Sequence, residues 1–278
     1  SGTAWGSTQY FSKVAVSTGH PALGIVVWQS VIGAGILLAA LVASGRRLPF
    51  ERGYLMFYAV CGFLGTAFPH TLGYTSIKHL PIGIASILIT TVPMMTLGLS
   101  FAVGADRADG KRVIGILLGL VAVLLILIPE ASLPEDGQWI WALFPLAAAF
   151  TYSCENVYIA KYQPAGCDAL QTMAGLTIAA LIMVTPITWA EGTWVDLSPL
   201  GAPEQAIIAA AGFHVVAYFG FVWLIGKAGP IFSAQVAYIV TLSAVLFGIL
   251  FLGESHAEWV WLSLVLMLGG LTLVKPTR

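Results

Sequence analysis

The sequence predicts an all-α polytopic membrane protein, with ten transmembrane helices arranged as two inverted five-helix repeats. Three observations carry this. First, 58% of the 278 residues are hydrophobic and 9% charged. A soluble domain carries about 25% charged residues, so this chain cannot cover its own surface with polar groups. Second, apolar runs such as 113–129 and 242–252 are continuous. In hydrocarbon only helices and closed barrels satisfy the backbone, and barrel strands would alternate. Third, the two halves of the chain align with one another.

A crossing needs about 20 predominantly apolar residues. Span 1 covers 1–17 and opens without a lead-in, so the natural chain is expected to begin earlier. Span 2 (21–44) follows Gly19-His20 and stops at Gly45-Arg46-Arg47. Span 3 (53–77) lies between Glu51-Arg52 and Lys78-His79, and span 4 (80–104) runs to Gly104 with Pro93 inside it. Span 5 (111–129) starts at Lys111-Arg112 and ends at Pro129; span 6 (138–162) ends beside Lys161. Spans 7 (168–190), 8 (204–226), 9 (230–253) and 10 (257–275) are separated by Glu191-Gly192, by Lys227 to Pro230 and by Gly253-Glu254.

Ten spans place both termini on one side. If that side is cytoplasmic, it holds Arg46, Arg47, Arg52, Arg107, Lys111, Arg112, Lys161, Lys227, Lys275 and Arg278, leaving Lys13 and Lys78 outside. This bias fixes the expected orientation in an inner membrane. Net charge is -1 and no basic excess remains for a nucleic-acid partner. Cys61, Cys154 and Cys167 have neither disulfide-framework nor zinc spacing. No cofactor is indicated. Gly104 to Arg112 imitates a phosphate loop, but it has five residues between its glycines and Arg112 where a Ser or Thr would hold Mg²⁺.

At an offset of 149, residues 64–81 lie over 213–230, matching Lys78 with Lys227, Tyr74 with Trp223 and Pro81 with Pro230. At 148, Tyr10 to Lys13 falls over Tyr158 to Lys161. Each half, 1–129 and 138–275, holds an odd number of spans, so the second is inverted relative to the first. Many secondary transporters share this pattern, with the solute near the bilayer midplane between the halves. A duplicated scaffold without transport is the plainer alternative.

Trp5-Gly6-Ser7 near Lys13, Pro93 within span 4 and Leu252-Gly253-Glu254 closing span 9 resemble the EamA type of the drug/metabolite transporter superfamily. Gly104-Ala105-Asp106 departs from the Gly-Glu usual there, and no role is carried to that Asp. Pro69-His70, Thr90 to Pro93 and Glu155-Asn156 look most like the aromatic amino-acid exporters of the YddG type. The resemblance implies export of amino acids and related metabolites through a cavity lined by spans 1, 3, 4, 6, 8 and 9.

Polar stripes mark the same spans. Thr66, His70 and Tyr74 recur at helical spacing in span 3, and His214 and Tyr218 do so in span 8. Span 1 offers Trp5, Gln9 and Ser12, and span 9 offers Gln235 and Tyr238. Polar groups in hydrocarbon face a bundle interior or a watery cavity; any one of them could equally be inter-helical glue. Glu155 is the one acid within a span, either a proton carrier or a counter-charge for an ammonium. Its alternative is to snorkel toward the interface near Lys161. All six arginines fall in predicted loops or at the terminus, which disfavours phosphorylated solutes. Gly115-x-x-x-Gly119 allows either a dimer contact or packing within the monomer.

The expectation is an exporter of small metabolites, amino acids foremost, working by alternating access in the lipid bilayer and not an enzyme. Export of cationic drugs, a membrane-embedded enzyme using Glu155 with a histidine, and a passive channel are the alternatives.

Overall fold

The computed structural model describes residues 2–104, 110–127, 139–233 and 236–273, and every regular element among them is helical. In chain order these are α1 (Gly2–Ser17), α2 (Ala22–Ala43), α3 (Arg52–Gly62), a π-helical turn (Phe63–Ala67), α4 (Phe68–His79), α5 (Ile82–Ile89), α6 (Val92–Ala102) and α7 (Gly110–Leu127). Then follow α8 (Trp139–Tyr162), α9 (Ala169–Ala190), α10 (Ala202–Ser233), α11 (Val236–Leu252) and α12 (Glu258–Leu273). The π turn joins α3 and α4 into one rod, and α5 and α6 follow one another as a second. The described residues therefore form ten spans.

Among the described residues, five stretches are both long and apolar enough to cross a bilayer: 22–43, 52–79, 82–102, 110–127 and 169–190. α8, at 24 residues, reaches about 36 Å at 1.5 Å per residue, longer than the roughly 30 Å hydrocarbon core. Its apolar character is diluted by Thr151, Tyr152, Ser153, Glu155 and Asn156, the residues a site would need. Large apolar side chains such as Val42, Ile182, Trp189, Phe219 and Leu250 remain exposed on the outside of the bundle, as a lipid-facing surface requires.

Helices pair across the two halves of the chain. α2 lies along α9, α7 along α12, α1 against α10 and α11, and α8 against α4, α5 and α6. Small residues set the closest approaches. A Cβ at Gly6 would stand 2.5 Å from the Ser243 Cβ, and one at Gly270 would stand 2.7 Å from the Gly115 carbonyl oxygen. A Cβ at Gly119 would fall on the Met94 sulfur. The Gly115-x-x-x-Gly119 face is thus occupied within the chain, by α12 and α6.

The two ends of the bundle differ in chemistry. At one, Arg46 Nη1 donates to Asp168 Oδ2 at 2.8 Å, and Asp168 caps α9 by accepting from the Gln171 amide at 2.9 Å. At the other, His20 Nε2 meets Glu204 Oε1 at 2.8 Å, and the Trp28 indole donates to the Val195 carbonyl at 2.8 Å.

Four expectations need correction. Span 3 is not uniform α-helix, because the π turn at 63–67 inserts a bulge just before Phe68-Pro69. Span 4 is broken at Thr90-Thr91. Pro93 cannot donate to the ladder and its ring conflicts with the carbonyl four residues earlier, so α6 starts afresh with Pro93 in its first turn. The break expected between spans 8 and 9 at Lys227 to Pro230 lies instead beyond Ser233, where α10 ends. A membrane helix tolerates one proline because neighbouring groups re-satisfy the freed carbonyl. Finally, Arg112 is not in a loop. α7 begins at Gly110, which carries Arg112 into its first turn, where it is buried.

Candidate transport site

The sequence-predicted rings of spans 1, 3 and 8 come together. His70 on α4 and His214 on α10 meet edge to face, with centroids 5.5 Å apart and planes at 84°. Trp5 on α1 stands 6.4 Å from His214 and 6.1 Å from Tyr218, both T-shaped. On the other side His70 lies 5.8 Å from Tyr74 and 6.4 Å from Tyr152 of α8. Edge-to-face geometry is what the positive rim and negative face of aromatic rings prefer. Tyr152, His70, His214, Trp5 and Tyr218 thus form a continuous aromatic path that draws on four spans and both halves. Each keeps part of its surface accessible.

Glu155 sits beside this path. It lies one turn beyond Tyr152 on α8, and its carboxylate packs on the backbone of Gly65 in the π turn. A Cβ at Gly65 would come within 2.1 Å of the Glu155 Cδ. Among the described residues the carboxylate makes no hydrogen bond and no ion pair. It faces the bundle rather than snorkelling toward Lys161, which is exposed. The neighbouring Asn156 amide donates to Thr96 Oγ1 at 3.3 Å, tying α8 to α6.

Other predicted residues divide. The Tyr74 hydroxyl donates to Gln29 Oε1 of α2, and both are buried, so Tyr74 is a brace as well as a ring neighbour of His70. Thr66 is buried inside the π turn, with no ring or hydrogen bond joining it to the aromatic path. Gln9 lies one turn beyond Trp5 on α1 and is half-buried. Gln235 lies outside the described residues, as does the side chain of Tyr238. Sequence reading missed three parts: Gln29, Gly65 and Tyr152. Gln29-Ser30 is a polar pair in an apolar span, and Tyr152 is at i, i+3 from Glu155; both were visible signals. Gly65 carried none.

Near the break in span 4, Thr90 and Thr241 of α11 share a hydrogen bond, while Thr90 also donates to the Ser86 carbonyl at 2.8 Å. The Thr90 hydroxyl thus ties the break to α11 while bonding back to its own helix.

A charged brace ties α1 and the residues after α11 to the α4–α5 corner. Lys13 Nζ donates to the carbonyls of Ile77 and, at 2.9 Å, Leu80, so its cation rests on the C-terminal end of α4. Glu254, just after α11, accepts from the amides of Ile82 at 2.6 Å and Gly83 at 3.2 Å, capping the N-terminal end of α5. Burial raises the Glu254 carboxyl, against the pull of those amides and of Lys13. His256, 3.5 Å from Glu254, is held below its ordinary value by burial. The Leu80-Pro81 corner is thereby clasped by opposite charges, one from α1 and one from the connection after α11. The same sequence motif recurs at Lys161, but there the lysine is exposed beside Tyr158 and Tyr162, in a groove with Leu99 and Val103.

A helical membrane bundle with a broken span, a bulged span and a shared polar-aromatic interior defines a transporter of small solutes. Residues 1–128 match the EamA-like transporter family. The chain is 27% identical to "Uncharacterized inner membrane transporter YedA" of Escherichia coli (strain K12), over 97% of this chain and 86% of that protein. It is 26% identical to "Uncharacterized transporter YwfM" of Bacillus subtilis (strain 168), over 98% and 90%. A shorter match, 34% identical over 30% of this chain and 27% of the relative, is to a "Probable amino-acid metabolite efflux pump" of Salmonella typhimurium. One crystal structure superposes with a TM-score of 0.66 at 17% identity, covering 98% of this chain and 94% of the other, which shows the shared fold. Over its first 128 residues the chain is thus similar to the EamA-like transporters, and over nearly its whole length to proteins named as transporters.

Proposed function

We propose that the protein is an inner-membrane exporter of amino acids, aromatic or otherwise neutral, working by alternating access between inverted halves at 1–129 and 138–275. The observation that carries this reading is the aromatic path from Tyr152 through His70 and His214 to Trp5 and Tyr218, built from both halves. Amphipathic rings offer an apolar wall with polar tips, which suits a zwitterion carrying an apolar side chain. The pairing of α2 with α9, α7 with α12, α1 with α10 and α8 with α4 supports the two-halves arrangement. The part-length likeness to an amino-acid metabolite efflux pump agrees with it. The charge bias of the loops supports an orientation with the Arg46 end in the cytoplasm and the Lys13–Glu254 brace outside.

Export of organic cations is the second reading, favoured by the unpaired Glu155 among rings. Counterflow of labelled phenylalanine and of a labelled quaternary ammonium into proteoliposomes separates the two. Saturable phenylalanine counterflow, lost on His70→Ala in protein that still folds, supports the proposal. Counterflow of the quaternary ammonium alone overturns it, and non-saturating flux of either indicates a channel.

A further inference from the structure

An ionised carboxylate inside a helical bundle costs several kcal/mol unless a cation accompanies it. Glu155 has no such companion among the described side chains. Lys13 is committed to the carbonyls of Ile77 and Leu80 at the end of α4. Lys161 lies further along α8, exposed beside the Tyr162 ring at 5.3 Å. Arg46 is paired with Asp168 at the end of the bundle. The fold nonetheless makes room for this carboxylate, since the π turn brings Gly65 opposite and any side chain there would occupy its position.

The surroundings bear on which cation would suit it. A proton relay needs only a route to water. Here the carboxylate stands instead one helical turn from Tyr152 on α8, whose ring leads through His70 into the aromatic path. Ring faces attract a cation held near them, the more so when water is excluded. A carboxylate to neutralise one end of a solute, with rings to cover its body, is a recognition site for an amine.

We infer that Glu155, seated on Gly65, is the counter-charge for the ammonium group of the transported solute, whose body is aromatic or apolar. This deepens the proposed function and rests on it for the assumption that a solute enters here. It makes the amino group obligatory and the solute's own carboxylate dispensable. Gly65 acts as a positioning residue, holding space that Gly65→Ala would take from the carboxylate without changing any charge.

The test is binding of radiolabelled phenylalanine to the purified full-length protein in detergent. Phenethylamine and N-acetylphenylalanine serve as competitors, and proteoliposome counterflow runs in parallel. Phenethylamine should compete within a few-fold of phenylalanine, and N-acetylphenylalanine at least tenfold more weakly. Glu155→Gln should raise Kd at least tenfold, Glu155→Asp less, and Gly65→Ala several-fold with the melting temperature nearly unchanged. Equal competition by the acetylated compound overturns the inference while leaving amino-acid export standing, as does unchanged affinity in Glu155→Gln. Retained affinity with loss of response to a pH gradient also overturns it, making Glu155 a proton carrier. If wild-type protein binds phenethylamine through Glu155 but no amino acid, the inference holds and the amino-acid reading falls. Should Glu155→Gln not fold, the acetyl comparison and Gly65→Ala decide.

Discussion

Glu254→Gln tests whether the charged clasp at the Leu80-Pro81 corner holds shut its end of the bundle, which the proposed orientation puts outside. The carboxylate accepts from two amides, Ile82 at 2.6 Å and Gly83 at 3.2 Å. A carboxamide keeps the shape but has one acceptor, so its NH₂ must oppose one of those N–H donors. A hydrogen bond to a charged acceptor contributes about 1.5–3 kcal/mol, and Lys13 loses its counter-charge as well. Taking about 2 kcal/mol as the bias removed from the closed arrangement, the ratio of open to closed forms rises about 30-fold. The reporter is Ser12→Cys on α1, where the serine is 1% exposed and lies next to Lys13. The background replaces Cys61, Cys154 and Cys167. An impermeant maleimide is applied to intact cells, and labelling should accelerate by up to about 30-fold when Glu254→Gln is added. Equal labelling rates in two proteins of equal abundance and unchanged melting would refute the clasp.

Tyr74→Phe removes the hydrogen bond to Gln29 and leaves a buried amide carbonyl short of a donor. It should lower stability by about 1–2 kcal/mol, read as a fall in melting temperature in detergent. Gly270→Leu pushes a side chain onto the Gly115 carbonyl and should destabilise by about 1–3 kcal/mol or more, by overpacking. Its elution volume on size exclusion should stay unchanged, because that glycine face is internal. Arg46→Ala should cost no more than about 1 kcal/mol in the same melt, since its pair with Asp168 is solvent-exposed. For topology, cysteines introduced at Glu135 and Asp196 should label from outside and one at Arg107 should not; outside labelling at Arg107 would reverse the orientation.

Span positions were legible because each is a long apolar run between polar or glycine-rich breaks. The α2 and α9 limits, 22–43 and 169–190, lie within a residue or two of the expected 21–44 and 168–190. Interruptions within spans were less legible. Pro93 predicted a disturbance in span 4, but not that the break would fall at Thr90-Thr91, with Thr90 bonded across to Thr241 of α11. The π turn at 63–67 has no sequence signature at all. The His70, Tyr74, His214 and Tyr218 stripes were readable from helical spacing, which says which residues share a face but not what that face meets. That His70 meets His214, and Tyr74 bonds Gln29, are consequences of tertiary packing. Gly65 illustrates the limit, since an absent side chain leaves no mark of what fills its space.

α1 packs against α10 and α11, not chiefly against the helices that follow it. About 200 residues separate Gly2 from Ala202, where α10 begins. At 5–20 residues per second, ribosomes need about 10–40 s to supply that partner. During that interval α1, with Gln9, Ser12 and Lys13 along it, lacks the helices it packs against most. The membrane-insertion machinery must therefore shelter it, or admit it late. Substitutions that make α1 more polar should accordingly show first as loss of protein during biogenesis, before any change in the properties of the mature transporter.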